Sequence, residues 1–517
     1  MDRDKTNQGS KYTKAQANGI TASIFILEFA ILVFSYYASF IGPVSQVVLA
    51  IISLIISGMT VQKIRGLQGG YGLYMAGSAR GISTIDSISK KNKGFWEQMP
   101  MWGIVLGFGV FSYFLLKGKV SKKTFIFGMA SLVLILLFVM PCTGVPLQFI
   151  NLPGFQSYSA EAASACTINS FLNLSPLGYA IYAFTIVFGL SGFIISSLLL
   201  NAANILSSSI LFAISAYSGN PQSSLLTSQV PGVAPVIPGI DIPLIAGILS
   251  LVIILTIHEM SHGVLARMAK VKIKSIGLLL FGVIPVGAFV EPNEKEILKL
   301  NKEKQNRISA AGISANFIAT IVFFILTMIM FAYVVPGLYQ NKGVFIESVL
   351  PNTPANGVLQ SGMQIIYWDG HKITNISNLE SAGAGDLPGN KVNIITMSSA
   401  CSPSSNIACV LGNYSITAVA INGSARGFIG ITAYQKEAIG STAYAKAMYF
   451  LYTLFALSFL LNFLVGIVNL LPIPGFDGWR IYKTNIKSDF IIKFVEGLII
   501  IGLILNAVPW LFIALLH

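Results

Sequence analysis

Charged residues are scarce in this sequence. Only 10% of the 517 residues are Asp, Glu, Lys or Arg, whereas 54% are hydrophobic and the mean hydropathy is +0.73. Soluble globular proteins carry roughly 25% charged residues, so the composition predicts an α-helical polytopic membrane protein. Nine stretches are long and apolar enough to cross about 30 Å of hydrocarbon or to approach it. They lie near residues 20–42, 44–62, 98–116, 124–141, 177–213, 242–257, 308–336, 447–471 and 497–516, and we predict about eight or nine spans.

The sequence also lacks any basic stretch interleaved with aromatic residues, so its net charge of +13 does not indicate nucleic-acid binding. Cytoplasmic loops of membrane proteins collect Lys and Arg. Residues 267–307 carry nine basic and four acidic residues, whereas 337–440 carry five of each. This bias predicts that 267–307 is cytoplasmic and that 337–440 lies outside. The lipid bilayer is the first expected partner.

The N-terminal third gives no single topology. Basic residues lie on both sides of the apolar stretch 98–116, at Lys63, Arg65, Arg80, Lys90, Lys91 and Lys93 and at Lys117, Lys119, Lys122 and Lys123. One crossing cannot leave both groups in the cytoplasm. Either 98–116 is re-entrant or interfacial, or one group violates the positive-inside rule. The Gly-rich piece 66–77 is typical of non-helical backbone, which is tolerated at membrane depth when protein covers it.

Cysteine is rare too, with four residues that form two close pairs in polar loops. Cys142–Cys166 and Cys401–Cys409 could form disulfides if both loops lie outside, and free thiols are the alternative. The second pair falls in 337–440, where short alternating runs such as "KVNIITM" are bounded by Gly, Pro and Asn. This patterning predicts a small β domain.

Histidine is as rare as cysteine in this sequence, and two of the four histidines lie in "HEMSH". His258 and His262 are four residues apart, so a helix presents both on one face. That spacing suits one Zn²⁺, with Glu259 as the general base. The alternative is a pair of buried core histidines, but an unpaired carboxylate in an apolar run is costly.

A catalytic zinc needs a third protein ligand, and neither His371 nor His517 is well situated. Asp477 in "NLLPIPGFDGWR" (469–480) is the candidate, because two prolines and a glycine before it break the helix and let the chain turn back. An ordinary turn with Asp477 as a helix cap is the alternative.

Together, "HEMSHGVLAR" (258–267) and "NLLPIPGFDGWR" resemble the site-2 protease family of intramembrane zinc metalloproteases. "FGVIPVGAFVEP" (281–292) is similar to that family's re-entrant hairpin, and "AGISANF" (311–317) to its G-x-x-x-N pattern. The resemblance covers about residues 235–516.

The resemblance implies one Zn²⁺ per chain, held by His258, His262 and Asp477, with Glu259 as the base. It implies substrate contacts for Asn469 and Asn316, and transmembrane proteins as substrates. Residues 351–373 resemble part of a PDZ domain, although Met363 stands where Asp is usual. A catalytically silent membrane scaffold that binds partners through this domain is the alternative function.

Four regions are expected from these features. They are an N-terminal membrane region (1–235), a first catalytic membrane segment (236–336), an extracytoplasmic PDZ-like domain (337–440) and a second catalytic membrane segment (441–517). The zinc is expected near the cytoplasmic face. The expected location is a prokaryotic plasma membrane, although the sequence does not separate this from an internal eukaryotic membrane.

Overall fold

The computed structural model describes residues 13–37, 43–78, 80–139, 176–220, 222, 224–227, 232, 236, 238–239, 242–398, 411–420 and 426–516. The chain divides into two compact units, residues 1–328 with 453–517 and residues 329–452. All four cysteines lie outside the described residues, so both disulfide predictions stay predictions.

Helices dominate because a helix satisfies its own backbone hydrogen bonds in an apolar environment. Seven helical segments of the described part are long and apolar enough to cross a membrane: Ala15–Ser35, Val48–Arg65, Pro176–Tyr217, Leu244–Met268, Lys302–Tyr333, Ala443–Val468 and Asp489–Pro509. In chain order the helices are α1 (Lys14–Tyr37), α2 (Pro43–Arg65), α3 (Arg80–Lys90), α4 (Lys93–Phe108), α5 (Phe111–Leu115), α6 (Lys122–Leu134), α7 (Pro176–Tyr217), α8 (Ser224–Thr227), α9 (Leu244–Met268), α10 (Glu294–Ile297), α11 (Lys302–Tyr333), α12 (Val335–Leu338), α13 (Ile376–Gly383), α14 (Ala443–Val468), α15 (Asp477–Asn485) and α16 (Asp489–Leu516). The predicted stretch 177–213 corresponds to α7, which is interrupted at Gly189 by non-helical angles (φ 67°, ψ −163°).

The apolar stretch 98–116 does not form one long helix. With 16 residues, α4 is about 24 Å long at 1.5 Å per residue. The chain then returns through α5, so that Thr124 Oγ1 at the start of α6 donates a 2.9 Å hydrogen bond to Gln98 Oε1 near the start of α4. The stretch therefore enters the protein and comes back on one side, which corresponds to the re-entrant alternative.

Both N-terminal basic groups lie close to the basic segment 267–307. Arg267 at the end of α9 forms an ion pair with Asp86 of α3. Lys117 and Lys119 line a small cavity together with Lys302 and Asn306. The topology of the N-terminal third relative to a membrane stays a prediction.

A four-stranded antiparallel sheet lies next to α9. Its order is β1 (Gly69–Gly70), β2 (Leu73–Ser78), β3 (Ile273–Phe281) and β4 (Ile284–Pro292). The hairpin expected at 281–292 therefore begins earlier, at Ile273, and β2, most of which lies in the Gly-rich piece 66–77, pairs with it. Among the described strands, β2 occupies the outer side of β3, whereas β4 forms an edge of the sheet.

A buried apolar cluster fixes α9 against its neighbours. Ile85 of α3, Val264 of α9, Val290 of β4 and Ile308 and Ala311 of α11 all belong to it. Removing this much apolar surface from contact with water or lipid headgroups stabilises the arrangement. The histidine-bearing turn of α9 is thereby held between β4 on one side and α11 on the other.

The unit of residues 329–452 contains the predicted β structure. The strands are β5 (Tyr339–Val349), β6 (Gln364–Trp368), β7 (His371–Lys372), β8 (Lys391–Met397), β9 (Leu411–Thr417), β10 (Val419–Ala420), β11 (Gly427–Phe428) and β12 (Ile431–Ile439). A six-stranded antiparallel sheet has the order β12-β5-β6-β8-β9 with β7 paired to β6, and β10 pairs with β11 in a second sheet. Apolar side chains that alternate along these strands form its core. The likeness to a PDZ domain stays a prediction.

Candidate metal centre

Three potential metal ligands converge from α9 and the start of α15. His262 Nε2 lies 3.2 Å from His258 Nε2 and 3.0 Å from Asp477 Oδ2. His258 Nε2 lies 3.2 Å from the same carboxylate oxygen. A tetrahedral zinc with bonds of about 2.0–2.1 Å holds its ligands about 3.3 Å apart. The triangle of ligand atoms therefore has nearly the size that one such ion requires.

The space beside the two imidazoles is kept open by a glycine of α11. A Cβ at Gly312 would lie 2.5 Å from Nε2 of both His258 and His262, well inside the van der Waals contact distance. No larger residue at this position is compatible with the observed placement of the rings. The first position of the G-x-x-x-N pattern thus borders the candidate metal site itself.

A tight turn brings Asp477 to the histidines. After α14 ends at Val468, the Gly478 amide donates a 2.7 Å hydrogen bond to the Asn469 carbonyl, which closes the turn. A Cβ at Gly478 would lie 2.4 Å from the Leu470 carbonyl oxygen, so the close approach requires glycine. Asp477 is then the first residue of α15, where the helix dipole also favours a carboxylate.

The protonation of His262 provides a test of whether a cation fits. Its Nδ1 lies 2.7 Å from the Ile308 carbonyl oxygen, and a carbonyl only accepts, so Nδ1 carries a hydrogen. In the neutral imidazole, Nε2 then presents a lone pair toward Asp477 Oδ2. Two acceptors 3.0 Å apart require a proton or a cation between them. The donor set therefore fits a divalent metal.

Glu259 is held beside this group without belonging to it. Its Oε2 accepts a 3.0 Å hydrogen bond from the Val290 amide of β4, and its side chain is half-buried. The three potential ligands do not include it. A carboxylate that is fixed next to a metal but does not ligate it is available to accept a proton.

The two asparagines expected to contact substrate have different surroundings. Asn316 is fully buried on α11, and its Nδ2 lies 3.1 Å from His258 Nδ1. Asn469 is half-buried, and its Nδ2 donates to the Val465 carbonyl one turn earlier in the chain. Asn316 therefore contacts a potential metal ligand, which its sequence motif did not predict.

Three groups that shape the site were missed from sequence. The Ile308 carbonyl and the Val290 amide are backbone groups, so residue type gives no signal for them. Gly312 did leave a signal, since it opens the G-x-x-x-N pattern, but a glycine in a membrane helix is more often a helix-packing position.

Asp477→Ala is expected to lower the zinc content of the purified protein well below one ion per chain, because it removes one of the three candidate ligands. Metal analysis by mass spectrometry measures this directly. Asp489→Ala is the matched control, since Asp489 is also the first residue of a helix but is exposed. An unchanged zinc content in Asp477→Ala would reject this residue as a ligand.

Comparison with known proteins bears on the same region. The model of peptidase family M50 matches residues 246–505, a range that contains His258, Glu259, His262 and Asp477. An uncharacterized protein of Methanocaldococcus jannaschii is 27% identical over 242 residues, which are 47% of this chain and 57% of that protein. Because the family match spans half of the chain, the protein belongs to peptidase family M50.

Proposed function

We propose that the protein is a zinc-dependent intramembrane endopeptidase, which hydrolyses peptide bonds within or near transmembrane helices of membrane-protein substrates. The convergence of His258, His262 and Asp477 with Glu259 beside them carries this proposal. Membership of a peptidase family supports it, as do the apolar helices around the site.

In this proposal, His258 and His262 hold one Zn²⁺ through Nε2, and Asp477 holds it through a carboxylate oxygen. When bound, the ion supplies Lewis acidity to the scissile carbonyl and to water. Glu259 accepts the proton of the attacking water and returns it to the leaving amide nitrogen. The Val290 amide keeps the carboxylate in one orientation during both transfers.

The edge of β4 is suited to hold the substrate. A helix satisfies its own backbone hydrogen bonds, so the scissile segment must first unwind and then find new partners. The Val290 amide points away from β3, toward Glu259, and residues two apart on a strand point the same way. The backbone groups of Ala288 therefore lie on this open side as well. An extended peptide that adds to β4 would pass alongside Glu259.

The proposed site lies toward the cytoplasmic face of a prokaryotic plasma membrane. α9 leads from the two histidines directly into the basic segment that starts at Arg267, and basic segments favour the cytoplasm. By the same rule, the β strands of residues 339–439 lie outside.

The proposal is tested by metal removal from the full-length protein in lipid vesicles. We expect one zinc per chain and cleavage of at least one member of a panel of single-span reporter helices that carry helix-destabilising residues. Stripping with a chelator should abolish cleavage, and added Zn²⁺ should restore it. Cleavage by fully stripped protein would contradict the proposal. A catalytically silent scaffold predicts no cleavage of any reporter in either condition.

A further inference from the structure

The ring nitrogen of His258 that faces away from the ligand group meets the side chain of Asn316. The Asn316 Nδ2 lies 3.1 Å from His258 Nδ1. The amide is fully buried, and its Oδ1 has no hydrogen-bond partner among the described residues. Buried polar atoms without a partner are uncommon in native proteins, and this oxygen is free to become an acceptor.

The tautomer of His258 determines which end of the amide should face the ring. An imidazole that ligates through Nε2 must carry its hydrogen on Nδ1. In the observed orientation Asn316 presents N–H groups to Nδ1, which matches the opposite tautomer, with the hydrogen on Nε2. That hydrogen would lie among the ligand atoms and would prevent His258 from binding a metal. The ligating tautomer therefore requires an acceptor where Nδ2 now lies.

The unpartnered oxygen can become that acceptor. The two ends of a carboxamide have nearly the same size and shape, so a half-turn of the amide exchanges Oδ1 and Nδ2 without new space. Oδ1 then accepts from His258 Nδ1–H. His262 already has the equivalent arrangement, because its Nδ1 donates to the Ile308 carbonyl.

We propose that Asn316 is a positioning residue for the metal, which holds His258 in the ligating tautomer through an Nδ1–H···Oδ1 hydrogen bond. The inference rests on the proposed zinc site and deepens it. Hydrogen bonds of this kind to ligating histidines typically contribute 10–100-fold to metal affinity. It also accounts for the G-x-x-x-N spacing, because residues four apart share one helix face. Gly312 borders the ligating nitrogens, and Asn316 contacts the nitrogen on the other side of the same ring.

Zinc affinity tests this role without any cleavage assay. The dissociation constant for Zn²⁺ is measured on the full-length protein by competition with a chromophoric chelator. Asn316→Leu keeps the approximate size but offers no acceptor, and we expect about 10–100-fold weaker binding. Asn316→Asp keeps an oxygen at the same place, and we expect affinity close to that of the unmodified protein. Rescue by aspartate separates an acceptor role from a general loss of structure.

Thr320→Val is the matched control, since Thr320 is buried one turn further along α11 and donates only to the Asn316 carbonyl. It should leave zinc affinity unchanged. If Asn316 instead contacts substrate, Asn316→Leu binds zinc normally and loses cleavage at every zinc concentration. That result would overturn the inference, as would an Asn316→Asp variant that binds zinc as weakly as Asn316→Leu. If the unmodified protein binds no zinc, the proposed function itself is wrong. This outcome differs from one in which the protein binds zinc but Asn316 does not affect the affinity.

Discussion

Glu259→Gln is expected to reduce cleavage of a transmembrane reporter by about 10²–10⁴-fold, the usual contribution of a general base, while the protein keeps its zinc. Glutamine has the same shape and can still accept from the Val290 amide through its Oε1. It cannot take a proton from water. Chemistry should therefore fail in a protein whose structure and metal are intact, and single-turnover cleavage with parallel metal analysis measures both.

Glu303→Gln provides the control for this change. Glu303 forms a partly exposed ion pair with Arg307 one turn away on α11, and such pairs contribute at most about 0.5 kcal/mol. Cleavage by this variant should match that of the unmodified protein. Full activity in Glu259→Gln would remove Glu259 from the mechanism, whereas loss of zinc in that variant would make it a ligand and not a base.

Gly312→Ala is expected to weaken zinc binding by more than about 100-fold. This exceeds the loss of about 10–100-fold in metal affinity that follows when a hydrogen-bond partner of a metal ligand is removed. The added methyl group would overlap both ligating nitrogens at 2.5 Å, so the histidines must move apart or turn away. Alanine stabilises a helix by about 1 kcal/mol relative to glycine, so α11 itself should not unfold. Zinc competition together with thermal unfolding separates these two effects.

The same substitution at Gly497 is the matched control. Gly497 lies on α16, and a Cβ there would meet no atom within 4 Å. Gly497→Ala should therefore bind zinc like the unmodified protein. Normal zinc affinity in Gly312→Ala would mean that the imidazoles do not bind the metal in the observed arrangement.

The features that could be predicted from the sequence are those whose residue pattern has one geometric meaning. The four-residue spacing of His258 and His262 fixes a shared helix face, and the prolines before Asp477 end α14 and permit the turn. Both features are local. The family is confirmed by the match over residues 246–505, although that match alone tests no individual site residue.

The structural features that could not be predicted from the sequence depend on contacts between segments far apart in the chain. The pairing of β2 with β3 joins residues 73–78 to 276–281, and the Gly-rich composition indicated only irregular backbone. The course of 98–116 was undecided because hydropathy does not record where a helix turns back. The contact of Asn316 with His258 likewise depends on how α11 packs against α9, which no motif encodes.

The candidate metal ligands are far apart along the chain, and this separation has a consequence for biosynthesis. Asp477 follows His262 by 215 residues, so both histidines are synthesised well before the third candidate ligand. At about 5–20 residues per second, this delay lasts roughly 10–40 s. During that interval the nascent chain has Glu259 and only two of the three candidate ligands. Under the proposed function, cleavage of its own helices, or of others being inserted nearby, begins only after Asp477 has been made.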